Sequence, residues 1–491
     1  MGNRLVSVGD DFNLPDEVNV IDENLPTRLQ PGELNATIGD QVEPVSVKVN
    51  NRPKVADGIF AAEDEALRAG RSACRQWQID STGNATYEPP YLLTLRQAAK
   101  HPTAHVKYKL WDHATQGYGA WNTVQAGAAG ERHAVFSGAN ITRTFYTPQA
   151  AIPHIAGDFD VRARLSMNDW TPGAVSGIVS RYGAAGSRGW KLSIGATGLI
   201  DFTWTTDGTT NIQKVSSAAA GFADGTEGWI RATLDVDNGL GGYTWKAYKS
   251  TDGVTWTEIG SSEVTTGGAT SIFDAPQEYE IGGRGFNAEA WAGKLYEVQI
   301  RDGINGKIVN PQPIDSWIPR GVSGSYVAGT FGGSATLYVL NGSNPGSDYA
   351  YFSDPARHPK MVHPYAGSLL MQACSHNDGS NTGVAYLASR EAWLALNDSR
   401  APGSQTVLIT QNPELPGGTV GLDNINNHAR RRPLLMAWGS RRGLVVIDTY
   451  KAFLDDPRGV DALLESDKLH PNVEGSLVAA DAIEGVNLAA L

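Results

Sequence analysis

The chain has 491 residues, 41% of them hydrophobic and 19% charged, with a formal net charge of -12. That length exceeds one ordinary core and predicts about two to four domains. The acidic balance excludes a general nucleic-acid binder, no apolar run approaches the roughly 18 residues of a spanning helix, and two cysteines exclude a disulfide scaffold.

Residues 1–58 read as an extended N-terminal arm, because Pro15, Pro26, Pro31, Pro44 and Pro53 interrupt any helix. One strand is predicted at 43–49, where the residues alternate. The arm is either an assembly segment or a disordered leader. It lacks a charged region followed by an apolar run, so the expectation is a chain made in a cytosol without a signal peptide. Residues 59–129 read as a small mixed linker domain. Ile59, Phe60, Ala66, Leu67 and Ala73 sit near a 3.6 spacing and predict a helix within 56–77. Residues 91–95 and 106–111 read as strands.

From 130 to 317 short alternating segments are separated by Gly, Asp and Asn turns. Strands are predicted at 158–165, 190–194, 200–204, 229–236, 243–248 and 295–303. This spacing predicts a two-sheet sandwich or jelly roll. Gly157-Asp158-Phe159-Asp160-Val161-Arg162, Gly189-Trp190-Lys191-Leu192, Lys249-Ser250-Thr251-Asp252-Gly253-Val254-Thr255-Trp256 and Tyr296-Glu297-Val298-Gln299-Ile300 carry a resemblance to laminin-G-like (concanavalin A-like) domains. The resemblance implies a glycan-binding module or a spacer, and assigns no ligand residue.

From 318 to 491 the rhythm becomes strand-helix alternation. Apolar strands are predicted at 336–340, 368–374, 405–410 and 443–448, and helices at 384–396 and 424–441, the latter interrupted by Pro433. This pattern indicates a parallel sheet covered on both faces, with ligands beyond the carboxyl ends of its strands. Three segments there resemble blocks of the SGNH (GDSL-type) hydrolases: Asn341-Gly342-Ser343-Asn344-Pro345-Gly346, Ser375-His376-Asn377-Asp378 and Asp467-Lys468-Leu469-His470-Pro471. The resemblance implies His470 as base, Asp467 as its orienter, and Gly346 and Asn377 as oxyanion donors. Ser375 stands where the family pattern has Gly, and no clean Gly-Asp-Ser supplies the nucleophile. Ser343, Ser316 and an inactive domain are the open readings, with Ser343 the first choice of the two serines and the inactive domain weighed beside it. No metal and no cofactor is expected, since neither Cys has metal-ligand spacing and no Cys/His cluster exists.

The order of arm, lectin-like sandwich and SGNH-like α/β domain resembles minor tail proteins of phages that infect actinobacteria. That resemblance implies a place in the virion tail. It also implies other tail proteins as partners of the N-terminal region, and contact with host-envelope glycan or lipid without membrane insertion. A homotrimer fits such a protein, although no heptad run supports a coiled coil. The functional expectation is a tail protein that binds envelope glycans or lipids and deacylates them by serine-esterase chemistry. The alternative is a receptor-binding protein with an inactive hydrolase-like domain.

Overall fold

The computed structural model describes residues 58–138, 145–283, 289–320, 329–365, 367–379 and 383–485. The N-terminal arm and the strand expected at 43–49 lie outside these residues. The described chain is multidomain, an α/β body with an antiparallel sandwich inserted into it.

The α/β body begins with helix α1 (Ala61–Arg68), strand β1 (Ala73–Ile79), helix α2 (Pro89–Lys100) and strand β2 (His105–Asp112). After the sandwich it resumes with β3 (Thr336–Asn341), β4 (Leu369–Ala373), α3 (Gly383–Arg400), β5 (Gln405–Ile409) and α4 (Leu422–Arg441). It ends with β6 (Val445–Ile447), α5 (Thr449–Asp455) and α6 (Val473–Glu484). The strands run parallel in the order β6-β5-β4-β1-β3-β2, and two short antiparallel strands, Gly117–Tyr118 and Asn122–Gln125, pair with β2.

Strand alternation builds three layers. Val407 and Ile409 share a cluster with Leu93 of α2 and Ile483 of α6. Leu408 points the other way, to Trp393 of α3 and to Leu435 and Trp438 of α4. One-residue alternation in a doubly covered sheet requires this split. The chain passes from β3 to β4 across β1. The β1/β4 boundary is therefore the switch point, where a crevice opens beyond the strand ends.

The sandwich is made of a seven-stranded and a nine-stranded sheet whose pairings are antiparallel. On Phe159–Met167 the odd positions, from Phe159 to Met167, enter the apolar core, together with Trp190, Phe202, Ile230 and Val298. The even positions are also buried, because the outer face is matched by charge. Asp160 accepts from Arg162 at 3.0 and 2.7 Å and from Arg231 at 3.0 and 2.8 Å. The predicted sandwich strands are present, as Phe159–Met167, Arg188–Ile194, Leu199–Thr205, Glu227–Asp235, Thr244–Ser250 and Ala292–Asp302.

Several expectations are corrected. Residues 59–129 are not a separate linker domain, since β1 is central to the α/β sheet and β2 pairs with β3. Nor does the α/β body start at 318, because Ile318–Pro319 and Thr330–Gly332 both pair within the sandwich. The helix expected over 56–77 stops at Arg68, and strand β1 follows. Residues 91–95 lie in α2 rather than a strand, with Pro89 and Pro90 in its first turn, where a missing N–H costs nothing. Helix α4 runs through Pro433 without ending.

Candidate active site

β1 delivers Asp80 and Ser81 to the carboxyl edge of the sheet. Ser81 Oγ lies 2.7 Å from His470 Nε2. His470 Nδ1 lies 2.5 Å from Asp467 Oδ2. A proton on Nδ1, shared with the carboxylate, leaves Nε2 as acceptor of the Ser81 hydroxyl. The side chains of His470 and Asp467 are 31% and 29% exposed, so the pair opens to solvent.

The turn carrying this pair is built locally. Asp467 Oδ1 accepts the backbone N–H of Leu469 and of His470, each at 3.0 Å. Burial alone would raise the Asp467 carboxyl, but the His470 ring and these two amides hold it below its ordinary value. The turn is tethered from outside as well. Asn412, just past β5, donates to the Leu469 carbonyl at 2.8 Å, and the Leu415 N–H donates to Lys468 O at 3.0 Å. Gly418 lies so close to the Asp467 carbonyl that any Cβ there would collide with backbone. Helix α6 begins directly after, capped by Asn472, which accepts the Gly475 N–H at 3.0 Å.

The serine loop is held by a side-chain network. Gln411 Nε2 donates to both Asp80 oxygens at 2.8 Å and to Thr82 Oγ1 at 3.1 Å. Its Oε1 accepts the Ser375 N–H and, at 2.9 Å, the His376 N–H. One amide therefore joins the loops after β1, β4 and β5. Asn341 donates to the Gly83 carbonyl at 2.5 Å and steadies the far end of the serine loop.

Ser343 is not the partner of His470. It is 2% exposed, and its hydroxyl donates to Asn341 Oδ1 at 2.5 Å, as does its N–H at 3.0 Å. It supports the Asn341 side chain that holds the serine loop. Ser316 is also remote from the pair, its hydroxyl bonded to the Gln312 carbonyl at 2.7 Å. The residue missed in the sequence is Ser81. The available signal was Asp80-Ser81 directly after a strand containing Trp77 and Ile79.

Asn377 follows β4 in a short turn, and its amide donates to Asp80 Oδ2 at 3.3 Å and to Ser347 O at 3.2 Å. It stands between the loop after β1 and the loop after β3. Gly346 lies in that second loop with φ of 73°, which a side chain would strain. The loop is fixed to the end of β1 by the Asn344 N–H, 2.9 Å from the Ile79 carbonyl. The five residues singled out in the sequence thus divide. Asp467 and His470 join Ser81, Asn377 and the Gly346 loop reach the same strand edge, and Ser343 lies beneath it.

Tyr87 and Glu88 border the site. Tyr87 is 37% exposed. Glu88 is buried at the start of α2, its Oε2 accepting the Ala85 N–H at 2.6 Å. Burial, with the charge of Asp80 added, pushes its carboxyl up to about 7.

No protein-family model matches the chain, and no curated protein matches it. Among solved structures, a peptidoglycan O-acetylesterase is similar at 11% identity over 87% of this chain and 94% of that one, with a TM-score of 0.34. A putative GDSL-like lipase from Parabacteroides merdae is similar at 13% identity over 31% of this chain and 73% of that one, with a TM-score of 0.27. Domains LG4-5 of the mouse laminin alpha1 chain are similar at 13% identity over 38% of this chain and 45% of that one, with a TM-score of 0.27. The strand order of the α/β body places a serine, an asparagine and an Asp-x-x-His pair at one carboxyl edge. The inserted module is a sandwich of two antiparallel sheets.

Proposed function

We propose that the chain is a carboxylic ester hydrolase that works by acyl transfer to Ser81. The observation that carries this reading is the continuous Ser81–His470–Asp467 hydrogen-bonded chain, 2.7 and 2.5 Å in its two links. Ser81 Oγ attacks the acyl carbon while its proton passes to His470 Nε2. The tetrahedral intermediate collapses, the alcohol leaves with that proton, and water then releases the acid by the same route. Asp467 holds the ring and offsets its positive charge. Asn377 and the Gly346 N–H are the proposed oxyanion donors, groups whose loss typically costs about 10²–10³ in rate.

The proposed substrates are acyl esters on envelope glycans or lipids, with the chain acting as a phage tail component. A half-open base and a rim tyrosine suit a bulky ester, and the adjoining sandwich is the proposed glycan-binding module. Antibodies to the sandwich should decorate virion tails. Undecorated virions would remove the tail role and leave the hydrolase reading standing.

The chemistry is tested by labelling the full chain with a fluorophosphonate and mapping the modified peptide by mass spectrometry. Label is expected on Ser81, lost in Ser81→Ala and His470→Ala. Ser343→Ala should keep the label and lose only about 1 kcal/mol of stability, the worth of one hydrogen bond. An unlabelled, folded wild-type chain, or label retained in Ser81→Ala, would refute the assignment.

A further inference from the structure

Beneath the serine loop, three residues distant in sequence come together: His376 after β4, Glu414 after β5 and His428 on α4. They are 3%, 3% and 2% exposed. One ring nitrogen of each histidine and one Glu414 oxygen lie within 4.8 Å of one another. None of the three belongs to the Ser81–His470–Asp467 chain.

The arrangement is poorly explained by hydrogen bonding alone. His376 Nε2 and His428 Nε2 both face a single oxygen, the Asn412 carbonyl, at 2.9 and 3.2 Å. If each ring donated to that carbonyl, both Nδ1 atoms would be bare lone pairs in a buried site. The Nδ1 of neither ring has a well-aligned hydrogen-bond partner, although the Ser375 carbonyl lies near the His428 ring, so the orphan is clearest at His376. A buried polar atom left unsatisfied is destabilising, and ring hydrogen bonding alone leaves that of His376 without a partner. Glu414 adds a buried carboxylate, bonded by Asn424 Nδ2 at 3.2 and 3.4 Å. The Asp80 carboxylate is close as well, 4.0 Å from His376 Nδ1.

We propose that His376 Nε2, His428 Nε2, a Glu414 oxygen and the Asn412 carbonyl bind one divalent transition-metal ion of the zinc class. Ligand atoms at about 2.0–2.2 Å around a tetrahedral ion stand roughly 3.3 Å apart, close to the spacings of the two rings from Asn412 O. Two neutral imidazoles among the four donors favour zinc or cobalt(II) over calcium or magnesium, which take all-oxygen sets. Binding through Nε2 puts the proton on Nδ1, where that of His376 faces Asp80, the carboxylate-histidine-metal relation common around such ions. The ion's charge would offset the two buried carboxylates. It would pin the loops after β4 and β5 to α4, directly under Asn377 and the serine loop.

The test uses the full chain, purified without a histidine tag. After growth with Zn²⁺ and dialysis against metal-free buffer, elemental analysis should find about one zinc per chain. Co²⁺ added to the chelated protein should give the visible absorption of a four-coordinate site, and chelation should lower the melting temperature. Glu414→Gln and His428→Gln should lose the zinc, the cobalt spectrum and the chelator-sensitive part of the melting temperature. A wild-type chain with zinc at the level of the dialysis buffer and no cobalt spectrum would overturn the proposal, whatever the variants do. Variants that bind as much metal as wild type would overturn it too.

Discussion

At the residue scale, Glu88 shows how burial at the site edge becomes a pH dependence. Its carboxyl is pushed up to about 7 from 4.5 by burial first and by the charge of Asp80. The folded state therefore binds this proton more tightly than the unfolded chain does. Linkage makes stability highest below about 4.5 and lets it fall as pH rises toward 7, by about 3 kcal/mol in all. Glu88→Gln keeps an acceptor for the Ala85 N–H but has no charge to desolvate. The variant should be more stable than wild type at pH 8, and that part of the decline should vanish. Urea melts at a series of pH values between 4 and 8 check this, and parallel curves for the two proteins would exclude Glu88 as the cause.

At the element scale, β1 explains most of what was hard to read. The strands β3 to β6 were legible as apolar runs, and the sandwich as alternation, because their buried faces are made of hydrophobic residues. β1 is buried and polar: Arg75, Gln76 and Gln78 are at most 2% exposed. Each is admitted by a partner. Arg75 pairs with Glu63 at 3.0 and 2.6 Å, Gln76 bonds the His363 backbone at 2.9 Å on both sides of its amide, and Gln78 accepts from Trp393 at 2.5 Å. Those partners are supplied by tertiary structure and leave no periodic trace, so the strand was read as the end of a helix. The nucleophile at its tip was lost with it. Asp467 and His470 were legible through the resemblance of their short local block, three residues of one turn, whereas Ser81 lies 389 residues from His470. The Arg75–Glu63 pair also sets a measurable cost. Glu63→Ala should destabilise by about 3–5 kcal/mol, because a buried guanidinium is left unpaired. The double change to apolar residues of similar volume should recover most of it. Chemical denaturation of the single and double variants decides between these outcomes.

At the scale of the whole molecule, the sandwich is an insertion whose two ends meet. The chain leaves the α/β body near Gly127 and returns near Ser334, and a Cβ on Gly127 would collide with the Ser334 side chain. Ends that close let a whole module sit between β2 and β3 without disturbing their pairing. The same insertion separates β1 and β2 from the other parallel strands of their sheet in sequence, which made residues 59–129 look like a separate domain. The two bodies are then coupled through a buried charge. Glu131, at the mouth of the sandwich, receives Lys107 of β2 at 2.6 Å, Tyr338 of β3 at 2.9 Å and Arg164 of the sandwich at 2.8 Å. Burial alone would raise its carboxyl, but Arg164 and Lys107 overcome that and hold it down to about 2. Because this folded value lies below the unfolded one, the stabilisation is present above about 4.5 and is lost as pH falls toward 2, by about 3 kcal/mol. Glu131→Gln should remove that acid-sensitive part. It should also lower stability at pH 7, since Lys107 and Arg164 lose their shared counter-charge. The network spans both bodies, so its loss should split one cooperative unfolding transition into two, read by calorimetry. A single transition with an unchanged midpoint in Glu131→Gln would mean that the bodies are joined by their other contacts, such as the Gln312 N–H to the Pro364 carbonyl at 3.0 Å, and not by this charge.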